Sequence, residues 1–256
     1  MMGLRVLLAK ELREQVRTNR LLAVAAVFVL FGIISPLTDR YMKQLFDAIG
    51  SESAGMSFVV PPPSLQGAAA QILKNLSQFG IICALLLSMG SVAWEKDRGT
   101  AGMILTKPAS RAAFLAAKLI AISITLGIAT VLGCGFAYGY VTLLYPTTFA
   151  LGGYVAMALL LWWMLVGFAA ITILGSSLTK SAIAAAGIGL VALLVLGILA
   201  TLPVVGEYMP TSLGTIASNL VLGKDPGFVL GPILFNIALV PILFGITWLT
   251  FRRQEL

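Results

Sequence analysis

From residue 119 to residue 174 the chain runs for 56 residues without one Asp, Glu, Lys or Arg. A soluble helix needs a charged face toward water, and these residues cannot supply one. Tyr145-Pro146-Thr147-Thr148 divides the stretch into runs at 119–144 and 151–174. Each is longer than the ~20 residues that cross a hydrocarbon core. Four more apolar runs lie at 21–37, 76–94, 182–202 and 231–251. The first rises only about 26 Å as a helix, so its ends must extend or snorkel. Pro241 predicts a kink in the last.

Composition agrees. Hydrophobic residues make up 59% and charged residues 11% of the 256, with a mean hydropathy of +1.00. Soluble domains carry roughly 45–50% and 25%. This excludes an ordinary soluble enzyme, a disordered chain and a disulfide scaffold. The expected fold is an all-α polytopic membrane protein, one domain over 1–256 with six transmembrane helices. Cys83 and Cys134 both fall in apolar runs, so they read as buried thiols rather than a disulfide or metal pair.

The basic residues set an orientation. Residues 1–20, the 95–118 connection, Lys180 and the tail hold 13 of the 17 Lys and Arg. The opposite loops hold Arg40, Lys43, Lys74 and Lys224. This 13-to-4 split predicts both termini in the cytoplasm, with the chain in a cell membrane such as the bacterial inner membrane. It also accounts for the net charge of +7 without nucleic acid. The first apolar run is not expected to be a cleaved signal, since a charged helix of about twenty residues precedes it.

Residues 1–20 read as an amphipathic helix at the inner interface. Leu4, Leu8, Leu12 and Val16 recur every fourth residue, joined by Leu7, while Arg5, Lys10, Glu11, Arg13 and Arg17 form its polar side. On the other side, in the segment from Thr38 to about Leu76, Tyr41, Leu45, Phe46 and Ile49 suggest a short helix on the outer interface. Ser64, after three prolines, is placed to cap a helix from Leu65. In the 203–230 loop, Thr211 or Ser212 is placed to cap a helix over 213–222, with Gly223 as its stop. That helix either half-enters the membrane or lies on its surface.

Catalytic constellations are missing. With no His and no intramembrane acid pair, neither a metalloprotease nor an aspartyl protease can be drawn. No strained Gly-x-Ser-x-Gly turn is present. Gly223-Lys224 does not complete a phosphate loop. No Asp, Glu, Lys or Arg lies within the fifth or sixth run either, which removes the usual device of ion-coupled carriers. Gly135-x-x-x-Gly139 and Ala185-x-x-x-Gly189 predict close helix contacts, within the chain or at a dimer face.

The informative segment is 95–118. Thr100 can cap a short helix, and Pro108 disfavours helical geometry at Lys107 and ends it. Ser110 can cap a second helix, which continues through Lys118 into the third span. Met103, Ile104 and Leu105 ride on the short helix. Three large apolar side chains there need cover, from the bilayer, the chain's own spans or a docked protein.

The order Glu95-x-x-x-Gly99-Thr100, an apolar patch, Lys107-Pro108-x-x-Arg111 and Lys118 resembles the type-2 ABC transporter permeases. Lys10-Glu11-Leu12-Arg13 with Arg17 and Arg20 resembles their opening helix, and Ser35-Pro36 closing the first span is similar to the same group. The resemblance covers the whole length in size and loop plan, and its sharp part is about 25 residues. It implies a type V exporter fold, in which two six-span halves face each other above two ATP-binding subunits. It further implies a coupling helix at about 99–106 and re-entrant helices within 203–230. The residues implied for ATPase coupling are Glu95, Gly99, Thr100, Met103, Ile104, Leu105, Pro108 and Arg111. A translocation path between spans two and five would be lined by Phe79, Cys83, Leu86, Met89, Leu193 and Leu196. No cofactor is implied in this chain, and ATP with Mg belongs to a separate ATPase. The segment carries fewer acids than the family often has, which bears on how the ATPase docks.

The leading reading is thus the permease half of an ATP-driven exporter of hydrophobic or amphipathic substrates, paired with an ABC ATP-binding subunit and a second permease copy, a homodimer being simplest. An ATP-independent channel or secondary carrier is the alternative, and a membrane enzyme is a third class.

Overall fold

The computed structural model describes residues 2–50, 62–100, 110–224 and 229–254. Among them there is no strand. The helices are α1 (Met2–Arg17), α2 (Arg20–Gly50), α3 (Leu65–Met89), α4 (Ala93–Asp97), α5 (Arg111–Leu144), α6 (Leu151–Leu178), α7 (Ala182–Leu199), α8 (Ser212–Val221) and α9 (Leu230–Arg252), with one 3-10 turn at Gly206–Tyr208. Six of these stretches are long and apolar enough to cross a membrane, α3 and α4 together forming one.

Serine caps fix several starts. The Ser64 hydroxyl accepts from the Gly67 amide at 3.0 Å, and Ser110 does the same for Ala113 at 3.0 Å. Ser181 caps α7 through Ala184 at 3.4 Å. Each satisfies an amide that has no carbonyl within the helix. The α8 start works differently. Thr211 makes no side-chain cap bond, and the Ser212 hydroxyl instead donates to the Met209 carbonyl. Gly223, at φ +63°, ends the last turn as its sequence position predicts.

Two expectations are corrected at α2. Ser35-Pro36 does not close the first span, because the helix continues through Pro36 to Gly50. The segment holding Tyr41, Leu45, Phe46 and Ile49 is thus the far end of α2 rather than a separate interfacial helix. Proline removes only its own bond to the carbonyl four residues back, and packed neighbours let a spanning helix absorb that loss. Pro241 likewise sits inside α9.

The core is built around α3, α5 and α6. Phe28, Ile72, Leu115, Leu126, Leu161 and Leu165 are fully buried. Where α2 crosses α5, Gly32 meets the Gly133 backbone so closely that a Cβ on Gly32 would overlap the Gly133 carbonyl. α7 and α9 are the least buried spans. Ile183, Leu190, Val191, Leu194 and Ile198 of α7 all point away from the bundle.

The small-residue motifs separate. Gly189 packs within the chain, where an added Cβ would meet Leu85 and Thr172. Gly135 and Gly139 do not, since a Cβ on either would meet nothing. The reading of Gly135-x-x-x-Gly139 as an internal packing face is therefore overturned. α8 buries Leu213, Ile216, Ala217 and Val221, and Gly153 of α6 lets the Leu220 carbonyl approach.

Candidate functional site

The end of α9 and α1 lie at the same end of the bundle, where Lys96 reaches Gln254 and Lys10 reaches Glu95, and charged residues meet there. α1 packs along α5 and carries Lys10 and Glu11 to Glu95 of α4 and Lys118 of α5. Lys118 Nζ lies 3.1 Å from Glu11 Oε1 and 3.0 Å from Glu95 Oε1. Lys10 Nζ lies 2.8 Å from Glu95 Oε1 and 3.2 Å from Glu11 Oε1. The four groups form a neutral unit. Lys118 is 3% exposed, so it depends on these carboxylates rather than water. Burial pulls the Lys10 pKa down, but Glu95 and Glu11 outweigh it and hold it above the ordinary lysine value.

The cluster extends outward. Glu14 lies 4.0 Å from Lys10 and 3.9 Å from Arg20, whose guanidinium sits 5.2 Å over the Trp94 ring. The carboxylates of Glu11, Glu14 and Glu95 converge within 4.8 Å. Lys10 and Lys118 bond Glu11 and Glu95 directly and Arg20 faces Glu14, so three cations from the chain balance the three carboxylates.

A second set of contacts ties the same region to the other spans. Lys96 donates to the Ser177 carbonyl at 2.8 Å and to Gln254 Oε1 at 2.7 Å. Arg111 Nη1 donates to the carbonyls of Phe251, Arg252 and Gln254 at 2.9, 2.8 and 3.0 Å, gathering the free end of α9. The Ser176 hydroxyl accepts from the amides of Val92 and Ala93 at 3.1 and 2.9 Å and donates to the Met89 carbonyl at 2.8 Å. It thereby fastens the α3–α4 turn to α6. The 95–100 side is thus held by α1, α5, α6 and the tail, and the 110–118 side by α1, α4 and α9.

The expected coupling and opening-helix residues fall into four groups. Glu95, Lys10, Glu11 and Arg111 belong to these networks. Gly99 turns the chain at φ +67°, a conformation glycine adopts without strain, and the Thr100 hydroxyl donates to the Glu95 carbonyl at 3.2 Å. Met103, Ile104, Leu105 and Pro108, with most of the expected coupling helix, lie outside the described residues. Arg5, Arg13 and Arg17 are exposed and take no part in the cluster.

Toward the bundle, α1 presents polar groups. Its most buried side chains are Glu11 and Gln15, whereas Val16 is exposed. The helix lies against a polar cluster, so its buried face is partly polar. The residues expected along a path differ in exposure. Phe79 stacks on Phe31 with ring centroids 3.6 Å apart, Cys83 is buried and Leu86 is exposed. Met89, Leu193 and Leu196 are half-buried. Sequence reasoning placed Lys118 only in a pattern and missed Lys96, Ser176 and Gln254. A single lysine two turns inside a capped helix, flanked by alanines and leucine, was the one available signal.

The family described as "ABC-2 family transporter protein" matches residues 5–256. The chain is also similar to the uncharacterised transmembrane protein YxlG of Bacillus subtilis (strain 168), at 26% identity over 252 residues and 97% of each chain. Six membrane-length helices, a tethered connection between the second and third, and a family match over nearly the whole length converge: the chain belongs to the ABC-2 family of transporter membrane proteins.

Proposed function

We propose that this chain is the permease half of an ATP-driven exporter and that its 95–118 segment receives the stroke of a separate ABC ATPase. ABC-2 permeases work with ABC ATP-binding subunits. The observation that carries the proposal is the Glu11–Lys118–Glu95–Lys10 cluster. A push on the segment would be felt at once by α1 and α5 through these ion pairs, and by α6 and α9 through Lys96 and Arg111. The terminal end would be cytoplasmic, in a bacterial inner membrane. A second identical copy would complete the pathway, with the apolar face of α7 and residues such as Leu86 at the join. The 203–230 segment would form the outer re-entrant helix. ATP and Mg would be bound by the ATPase. The substrate would be hydrophobic or amphipathic and would bind the two states of the permease unequally, as driven transport requires.

The test is gentle purification from native membranes followed by mass spectrometry. A soluble ATPase should accompany the chain and be lost in Met103→Asp and Ile104→Asp. A lone chain, even after crosslinking across 99–106, would overturn the proposal in favour of an ATP-independent channel or carrier. In the assembled complex, Glu95→Gln should keep the ATPase bound while lowering transport per ATP hydrolysed. Unchanged coupling in that variant would remove the cluster from the mechanism.

A further inference from the structure

We propose that the cleft between α1, the start of α2 and the α3–α4 turn holds the headgroup of an anionic phospholipid with a hydroxylated head, such as phosphatidylglycerol. The cleft encloses about 420 Å³, and Glu14, Arg20, Trp94 and Arg98 line it beside the ion cluster of Lys10, Glu11, Glu95 and Lys118. It lies at headgroup level. Arg20 directly precedes the apolar run at 21–37, Trp94 ends the run at 76–94, and Lys118 directly precedes the run at 119–144. Ile122 and Leu87 line the cleft about one and two helical turns deeper.

Charge selects the ligand. The lining carries four cations, Lys10, Arg20, Arg98 and Lys118, and three carboxylates, Glu11, Glu14 and Glu95. Lys10 and Lys118 are taken up by Glu11 and Glu95, and Arg20 faces Glu14. Arg98 has no ion pair among the described residues, so one positive charge is left over. A single phosphodiester supplies the matching negative charge, and a zwitterionic headgroup does not. The Arg20 guanidinium lies 5.2 Å over the Trp94 ring, and that ring packs so closely on Gly90 that a Cβ there would overlap it. Stacking occupies the face of the guanidinium and leaves its edge N–H groups for phosphate oxygens. Glu14 lies 3.9 Å from Arg20, too far for a hydrogen bond that would use those donors. These groups keep surface open to a ligand. The side chains of Arg20 and Glu14 are 27% and 40% exposed, and Arg98 is exposed. A carboxylate only accepts hydrogen bonds, so Glu14 repels a bare phosphate but receives the hydroxyls of a glycerol head.

The full chain, with any ATPase that accompanies it, can be titrated with single lipids in detergent and the bound lipids counted by native mass spectrometry. The first phosphatidylglycerol should bind more tightly than phosphatidylethanolamine. It should also bind more tightly than phosphatidylmethanol, which carries the same charge and no headgroup hydroxyl. Arg98→Gln and Arg20→Gln should each weaken that first binding about fivefold, the worth of one basic residue beside anionic lipid. Arg5→Gln removes the same charge from an exposed position of α1 outside the cleft and should change nothing. Equal affinity for phosphatidylglycerol and phosphatidylethanolamine would overturn the site. So would an unchanged affinity in Arg98→Gln, or an equal loss in Arg5→Gln, which would mean diffuse attraction to a basic surface. Equal affinity for phosphatidylmethanol would overturn the role of Glu14. No readout uses ATP, so failure here is distinct from failure of the transporter reading.

Discussion

Lys118 concentrates what single residues contribute. Its ammonium is buried and shared between Glu11 and Glu95, which lie 107 and 23 residues away in sequence. Removing one member of a buried ion cluster costs about 3–5 kcal/mol, because the charges left behind keep their desolvation penalty. Lys118→Met should lower stability by that order in detergent-based unfolding. Adding Glu11→Gln should recover part of the loss, since one surplus carboxylate goes. A Lys118→Met protein as stable as the parent would mean the cluster is solvated. The residue types were legible in the sequence as Glu95, Lys118 and Lys10-Glu11. Their partnership was not, because no local periodicity relates positions so far apart.

At the scale of elements, starts were more legible than ends or faces. Ser64 and Ser110 cap helices because a hydroxyl before a helix can reach an orphan amide, a purely local property. Pro36 was misleading because the cost of a proline inside a helix depends on what packs around it. The burial of Glu11 and Gln15 on α1 was not legible for a similar reason, as the neighbours that cover them are supplied only by the fold. The short α4 depends on Ser176 of α6, which no local rule connects to Val92 and Ala93. Ser176→Ala should cost about 2 kcal/mol by leaving buried amides unpaired, and should speed hydrogen exchange at Val92 and Ala93. Ser177→Ala is the control, because that hydroxyl bonds only Leu174 of its own helix. Equal effects of the two substitutions would contradict the assignment.

For the whole molecule, the uneven distribution of Lys and Arg predicts orientation. In a cysteine-free background, Tyr41→Cys and Lys224→Cys should react with a membrane-impermeant maleimide added outside intact cells. Arg13→Cys should react only after permeabilisation. The reverse pattern would invert the topology. The native Cys83 and Cys134 are both buried, so their replacement should leave little background change in labelling.

The sequence by itself determined that the chain is helical, crosses a membrane and has six apolar runs, because an uncharged stretch has few places to go and the bilayer sets its length. It also determined the serine caps and the resemblance in the 95–118 segment. Only the tertiary structure decided which spans form the core, why Gly189 is packed while Gly135 and Gly139 are open, and which carboxylates hold Lys118. The spans at 111–144, 151–178, 182–199 and 230–252 are apolar on nearly all sides, so the pattern that marks a buried face in water is missing in lipid. Packing, close backbone approach and the pairing of buried charge then choose the neighbours, and these depend on contacts between distant parts of the chain.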